Sequence, residues 1–314
     1  MNTEKTTESK AHAKAMAQAL FVTFLWSMSW VLIKIGLRES LPPLTFAGLR
    51  YSLAFLCLLP FVLANPNHRA ILRSISHHKY MQLFILGVVF YAVTQGAQFV
   101  GLAYLPAATL TLLLSLSPIF VALLGISFGH ESSSMYQWGG IFLSTAGVFI
   151  YFLPLSIPVS QTFGLSVAVV GVIANAVSSL LGRRINHQSG LSPILVTTVS
   201  MGTGGLLLLV LGTLTQGFGK ISPFEWLIIG WLAVVNTAFA FTLWNNSLRA
   251  LTAIESSIIN NTMLPQIAIL AWLLLDEPLT LKQVTGMILV GVGTLIVQVS
   301  RYFPISRKSF QKQV

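Results

Sequence analysis

The sequence predicts an all-α integral membrane protein, with ten transmembrane helices in two five-helix repeats of inverted topology and both termini in the cytoplasm. Three observations predict it. Charged residues make up 8% of the 314 and hydrophobic residues 54%, whereas a soluble domain carries about 25% charged residues. A water-soluble fold of this length could not cover its surface with so little charge. The apolar sequence also falls into stretches of about 20 residues, the length a helix needs to cross the hydrocarbon layer. Finally, the cations gather in alternate gaps between those stretches.

A polar tail over 1–15, with Lys5, Lys10 and Lys14, precedes the first apolar stretch near Met16. That stretch is too long for a signal-peptide core and no small-residue cleavage pattern follows it, so it reads as a span that stays in place. The first repeat, 16–153, is expected to hold spans over 16–37, 43–63, 80–102, 106–128 and 135–153. The second, 161–300, is expected to hold spans over 162–182, 191–212, 225–246, 253–275 and 281–300, followed by a basic tail over 301–314. The charge-free runs from Lys79 to Glu131 and from Glu131 to Arg183 are each long enough for two spans, with breaks at Gly101 to Pro106 and Pro154 to Pro158. With the N-terminus inside, only Arg38, Lys220 and Lys282 fall outside, and Lys34 and Arg50 fall within spans. The other cations, among them Arg69, Arg73, Lys79, Arg183, Arg184 and Arg249, all fall inside. Such a bias orients the chain in a cell membrane, the inner membrane in a bacterium.

Two stretches repeat. Leu105-Pro106-Ala107-Ala108 runs through Ser117-Pro118 to Glu131, then Gln137, Gly140 and Gly147. Leu251-Thr252-Ala253-Ile254 runs through Leu264-Pro265 to Glu277, then Gln283, Gly286 and Gly293. Five spans per repeat is an odd number, so the second copy enters the membrane upside down, as in many secondary transporters. A proline inside a span frees a backbone carbonyl about one turn earlier, here near Leu114 and Asn261. Lipid cannot satisfy that carbonyl, so it must face protein or a watery cavity. Pro118 and Pro265 are therefore the expected helix breaks and gating points. The glycines Gly139-Gly140 to Gly147, Gly202 to Gly205, and Gly286 to Gly293 offer small faces for close helix contact or for sliding.

The candidate binding residues are polar or aromatic side chains at span depth. Tyr91, Gln95 and Gln98 stand at i, i+4 and i+7, on one helical face. Ser117 adjoins Pro118, and Asn175 lies in the inner half of span 6. Span 8 offers Asn236, Thr237, Phe241, Trp244 and Asn245; span 9 offers Asn260, Asn261, Thr262 and Gln266. Each asparagine serves equally well as an interhelical hydrogen bonder; several near mid-bilayer together describe a neutral, polar pocket for zwitterions or amides. Trp26 and Trp30 in span 1 suit packing, or stacking against an aromatic or cationic solute. Lys34 can snorkel to the outer interface. Arg50 stands about two turns into span 2, where an unpaired, lipid-facing charge costs roughly 2.5–3.5 kcal/mol. It is expected to bind carbonyls at the outer mouth or, if it meets cargo, a carboxylate. Glu255 is the sole acid well inside a span and the candidate for proton coupling.

Other classes have little to rest on. Cys57, the single cysteine, allows no disulfide framework or thiolate metal site. The histidines lie in tails, loops or span ends, without metal-ligand spacing, so no metal or cofactor is expected. A Walker A motif is absent. A membrane-embedded enzyme would need a polar catalytic cluster at one interface, yet the loop from Asn65 to Lys79 has three His and no acid. A receptor or scaffold would need a sensory or signalling domain. The net charge of +10 reports topology, and no nucleic acid partner is expected. The expected partners are a small-molecule substrate and the lipid bilayer, with the chain a monomer or homodimer.

Several of these residues form motifs. Trp26-Ser27 with Lys34, Phe46-Ala47-Gly48-Leu49-Arg50-Tyr51, Gly101-Leu102-Ala103-Tyr104-Leu105, and the run from Ser117-Pro118 to Gly129-His130-Glu131 stand in the first half. Asn260-Asn261 to Pro265 and Ala271-Trp272-Leu273-Leu274-Leu275-Asp276-Glu277-Pro278 stand in the second. From about 16 to 300 the chain resembles the drug/metabolite transporter superfamily, in its EamA-type ten-helix branch. One departure is that Pro265 to Glu277 is one residue shorter than Pro118 to Glu131. The resemblance implies a solute carrier with a cavity between the repeats, for amino acids, related metabolites or toxic organic compounds, often in export. The leading expectation is thus a secondary transporter of amino acids or related metabolites working by alternating access. The alternative is a proton-coupled exporter of drugs or toxic organic compounds.

Overall fold

The computed structural model describes residues 2–38, 41–127, 135–153, 158–188, 190–247, 251 and 259–300. Glu131, Glu255 and the C-terminal basic tail lie outside the described residues. The described chain is helical from end to end. Helix α1 (Asn2–Arg38) leads to α2 (Pro43–Ala64) and to the short α3 (Pro66–Ser74). Helix α4 is one rod, His77–Tyr104, whose middle, Gly87–Gln95, is wound as π-helix. Next come α5 (Ala107–Leu114), α6 (Ser117–Ser127), α7 (Met135–Phe152), α8 (Val159–Gln188) and α9 (Pro193–Gln216). Helix α10 joins Pro223–Ala233, a π-helical Val234–Phe239 and Ala240–Ser247. The last two are α11 (Ile259–Leu275) and α12 (Leu281–Ser300).

Among the described residues six helices are long and apolar enough to cross a membrane, namely His12–Arg38, Pro43–Ala64, His77–Tyr104, Val159–Gly182, Pro193–Gln216 and Pro223–Trp244. Shorter apolar helices cover Ala107–Val121, Ile259–Leu275 and Leu281–Val297. Their outward faces carry large apolar side chains such as Phe61, Leu214, Leu227 and Ile288, as a bilayer requires. Helix starts follow local chemistry. Pro43, Pro66, Pro193 and Pro223 stand at first-turn positions, where a missing N–H removes nothing. Ser222 and Glu225 form a reciprocal cap at the start of α10.

The expected break in the fourth apolar stretch is present. Helix α5 ends at Leu114 and α6 starts at Ser117, one residue before Pro118. In the ninth, Thr262 interrupts the winding and Met263–Leu275 resumes it.

Glycines set the tightest contacts. A methyl group on Gly140 would lie 2.7 Å from the Gly293 carbonyl oxygen, and one on Gly147 the same distance from that of Gly286, so α7 and α12 cross backbone to backbone. Helix α9 approaches α2 in the same way, Gly48 against the Leu209 backbone and Gly212 against that of Leu44 and Thr45. It meets α4 through Gly204 and Gly87. Gly202 and Gly205 pack on Phe55 and Tyr51, whereas Gly139 has nothing near it and belongs to no contact. In a bilayer, where lipid removes most of the hydrophobic drive for association, such close van der Waals contact holds helices together. The main core gathers Trp30, Phe46, Tyr51, Tyr91 and Phe99 with Ile229, Ile267 and Ala271.

Candidate functional site

Two π-helical turns define the middle of the bundle, one in α4 and one in α10. A π-turn leaves backbone carbonyls without their regular helical partners, and such turns are frequent at functional sites. Both are stabilised alike. Thr94 Oγ1 donates to Val89 O at 2.9 Å, and Thr237 Oγ1 donates to Leu232 O at 2.8 Å, each reaching five residues back. A third carbonyl, Asn236 O, accepts the indole N–H of Trp26 at 3.1 Å.

Around these turns the polar side chains knit helices together. Asn236 is fully buried; its Nδ2 donates to Leu25 O, and its Oδ1 has no partner among the described residues. Trp26 leans on Phe241 and Trp244, with ring centroids 5.3 and 5.2 Å away. Between α1 and α11, Ser27 Oγ donates to Gln266 Oε1 at 2.9 Å, and Gln266 Nε2 donates to Thr262 Oγ1 at 3.0 Å and to Thr23 Oγ1 at 3.3 Å. Between α6 and α8, Asn175 Nδ2 donates to Ser117 Oγ at 3.0 Å, and that hydroxyl donates to Leu114 O at 2.7 Å. The carbonyl freed by Pro118 thus binds a hydroxyl one turn away.

Arg50 is 5% exposed. Its Nε donates to Thr237 Oγ1 at 3.0 Å, and its guanidinium carbon lies 5.2 Å from the Tyr51 ring centroid and 6.0 Å from that of Phe99. Tyr51 donates its hydroxyl to Gln95 Oε1 at 2.7 Å. Tyr91 is buried against Phe90 and Tyr51. Gln98 is half-buried and has no hydrogen-bond partner among the described residues. The structure therefore brings Arg50, Tyr91 and Gln95 together around Tyr51. Their expected straight stripe is rewound, because Tyr91 and Gln95 lie within the π-turn.

The other expected residues fall elsewhere. Trp30 is buried in the core, Asn260 is exposed and Asn261 half-buried. Pro265 shares the exposed face of α11 with Ile269 and Trp272, so its ring lies away from the Ser27–Gln266 contact. Trp244 packs in an aromatic and aliphatic cluster with Ala15 and Ala19. Lys34 reaches protein backbone: its Nζ donates to Leu102 O at 2.6 Å and Leu105 O at 2.5 Å, at the end of α4. Arg38 donates to Leu275 O at 2.9 Å, at the end of α11. Glu277 accepts the N–H of Ala107 at 2.8 and 3.0 Å and that of Ala108 at 3.4 Å, at the start of α5. Cations at helix ends and an acid at a helix start match the helix dipoles. These three residues tie helix ends together at the end of the bundle that the cation bias assigns to the outside. Sequence reasoning named Glu277 only as part of a motif.

Two grooves open on opposite halves of the bundle. One, about 700 Å³, is lined by Leu41 to Leu44, the second half of α4, Phe163 and Gln216. The other, about 520 Å³, is lined by Leu58, His68, the start of α9, and Phe239 to Leu243. Among the described residues no His, Cys, Asp and Glu gather in a group of three or more that could hold a metal.

The sequence matches the EamA-like transporter family twice, over residues 13–153 and 162–299. It is 26% identical over 295 residues to the uncharacterized transporter YvbV of Bacillus subtilis (strain 168), covering 88% of this chain and 89% of that one. An uncharacterized transporter of Archaeoglobus fulgidus is 26% identical, with 90% and 98% covered. The uncharacterized inner membrane transporter YedA of Escherichia coli (strain K12) is 24% identical over 237 residues, with 74% and 73% covered. A solved structure described as the crystal structure of a protein shares the fold, at a TM-score of 0.64 and 15% identity, over 91% of this chain and 98% of that one.

Proposed function

The chain belongs to the EamA-like transporter family of the drug/metabolite transporter superfamily, and we propose that it is a secondary transporter exporting amino acids or related metabolites by alternating access. It is a multi-pass membrane protein. In the proposed arrangement ten spans form two inverted five-helix repeats, 16–153 and 161–300, with both termini cytoplasmic, in a bacterial inner membrane. Support for the repeats comes from the twofold family match, from the reciprocal contacts of Gly140 with Gly293 and Gly147 with Gly286, and from the like-built π-turns held by Thr94 and Thr237.

One observation carries the transport reading. Polar side chains from both halves converge on the two π-turns inside the bundle, while the outward faces are apolar. Polar groups at membrane depth, facing inward, mark solute pathways. In this reading the Glu277, Lys34 and Arg38 contacts hold helix ends together on the outer side. The test is counterflow in proteoliposomes loaded with labelled amino acids. Unlabelled solute outside is expected to accelerate loss of label. Protein that neither moves nor binds any common amino acid or related metabolite ends this reading.

The second reading is a proton-coupled exporter of drugs or toxic organic compounds. The aromatic set of Trp26, Phe241 and Trp244 favours it, as a surface for flat or cationic molecules. Flux driven by a pH gradient and abolished in Glu255→Gln would select it over the first.

A further inference from the structure

We infer that the solute carries a carboxylate and that Arg50 is its anchor, an inference that rests on the transporter reading and names the chemistry of its site. Arg50 is an arginine enclosed by protein at membrane depth, and among the described residues no carboxylate pairs with it. Only its Nε is used, on Thr237. Its two terminal nitrogens have no partner among the described residues.

A purely structural arginine would spend those nitrogens on the carbonyls that the π-turns release. It does not do so here: the side-chain donors on the π-turn carbonyls Val89 O, Leu232 O and Asn236 O are Thr94, Thr237 and Trp26, and the terminal nitrogens of Arg50 bind none of them. What remains is a guanidinium fork with its two terminal nitrogens free, and the partner that matches such a fork is a carboxylate, bound through two parallel hydrogen bonds. The faces of Tyr51 and Phe99 hold the cation in place without neutralising it. Gln95, fixed by the Tyr51 hydroxyl through its Oε1, keeps its amide N–H groups free beside this cluster. A carboxylate arriving here would cancel a charge that the fold leaves uncompensated.

The experiment uses the full chain in lipid nanodiscs, with thermal unfolding followed by tryptophan fluorescence. The probes are the common L-amino acids and their 2-oxo acids, benzoate, and the matched neutral or cationic amides, including phenylalaninamide, leucinamide and benzamide. At least one carboxylate is expected to stabilise the wild type, with its amide about thirty-fold weaker or more. Arg50→Gln is expected to remove that preference and Arg50→Lys, which keeps the charge but not the fork, to weaken it. The assignment is overturned if amides match carboxylates, if no carboxylate stabilises the protein, or if Arg50→Gln keeps the preference. Should Arg50→Gln fail to yield folded protein, the wild-type comparison of carboxylate with amide still decides. Equal flux of carboxylates and amides in proteoliposomes would remove Arg50 as anchor and leave the carrier standing; absence of all flux would remove the carrier itself.

Discussion

The carboxylate of Glu277, just past the end of α11, caps the backbone N–H of Ala107 at the start of α5 with contacts of 2.8 and 3.0 Å. The two residues are 170 positions apart in sequence, so this contact joins the two halves of the chain at the end that the cation bias assigns to the outside. Lys34 and Arg38 add further ties at that end by binding carbonyls at the ends of α4 and α11.

Glu277→Gln should loosen this tie between the two halves. Losing an ionised cap costs about 1 kcal/mol, which corresponds to about a five-fold shift in an opening equilibrium. A cysteine placed at Gln98 in a Cys57→Ser background reads it out. Its labelling by an outside, membrane-impermeant maleimide should rise about five-fold in Glu277→Gln. Unchanged labelling would mean that the contact does not hold the outer end shut.

Two adjacent glycines make a controlled pair. Gly140 has the Gly293 carbonyl oxygen and Val297 Cγ2 where a methyl group would go, at 2.7 and 2.9 Å, while Gly139 has nothing within 4 Å. Both lie in α7, so the propensity gain of Gly→Ala is the same. Gly140→Ala should destabilise by roughly 1–3 kcal/mol through forced separation of α7 and α12, and Gly139→Ala should be neutral or slightly stabilising. Thermal unfolding in detergent measures both; equal shifts would remove backbone contact as the basis of this crossing.

Much of this was legible in the sequence because bilayer constraints are written residue by residue. Apolar runs mark the helices, Pro118 stands just after the break between α5 and α6, and the glycines of 139–147 and 286–293 mark small faces, although which glycine meets which shows only in the fold. The π-turns were not legible. Gly87–Gln95 reads GVVFYAVTQ, with no proline to mark an irregularity, and the hydroxyl of Thr94 finds its carbonyl only after the extra residue is wound in. The same turn displaces the i, i+4, i+7 stripe of Tyr91, Gln95 and Gln98. Asn236 and Asn175 act as links between helices, a role that their side chains could not announce apart from cargo contact. The carbonyls that Lys34 reaches belong to a helix end 68 residues away, which no local pattern reveals.

The two threonines separate structure from binding. Thr94→Val and Thr237→Val each leave a carbonyl without its hydroxyl, at a cost of about 0.6 kcal/mol and at most near 2 in a membrane. Only Thr237 also holds Arg50. Both variants should therefore unfold a few degrees early, and only Thr237→Val should also weaken carboxylate binding in the nanodisc assay. Equal weakening of binding in the two would point to a general loosening of the bundle.

The hydroxyl of Ser117 answers a deficit that Pro118 creates. Proline has no N–H, so Leu114 O, four residues back, loses its helical donor, and Ser117 Oγ supplies one at 2.7 Å while accepting Asn175 Nδ2 at 3.0 Å. Ser117→Ala should then cost about 1–2 kcal/mol, since a carbonyl and an amide are left unpaired at membrane depth. In a Pro118→Ala background the new backbone N–H can satisfy Leu114 O. The same substitution should therefore cost less there, because it deprives only the Asn175 amide of its acceptor. The two changes should consequently be non-additive, the double variant being more stable than the sum of the singles by about 0.5–1 kcal/mol. Thermal unfolding of the four proteins measures that coupling. Simple additivity would show that Ser117 acts through Asn175 alone and that the break between α5 and α6 is held by something other than this hydroxyl.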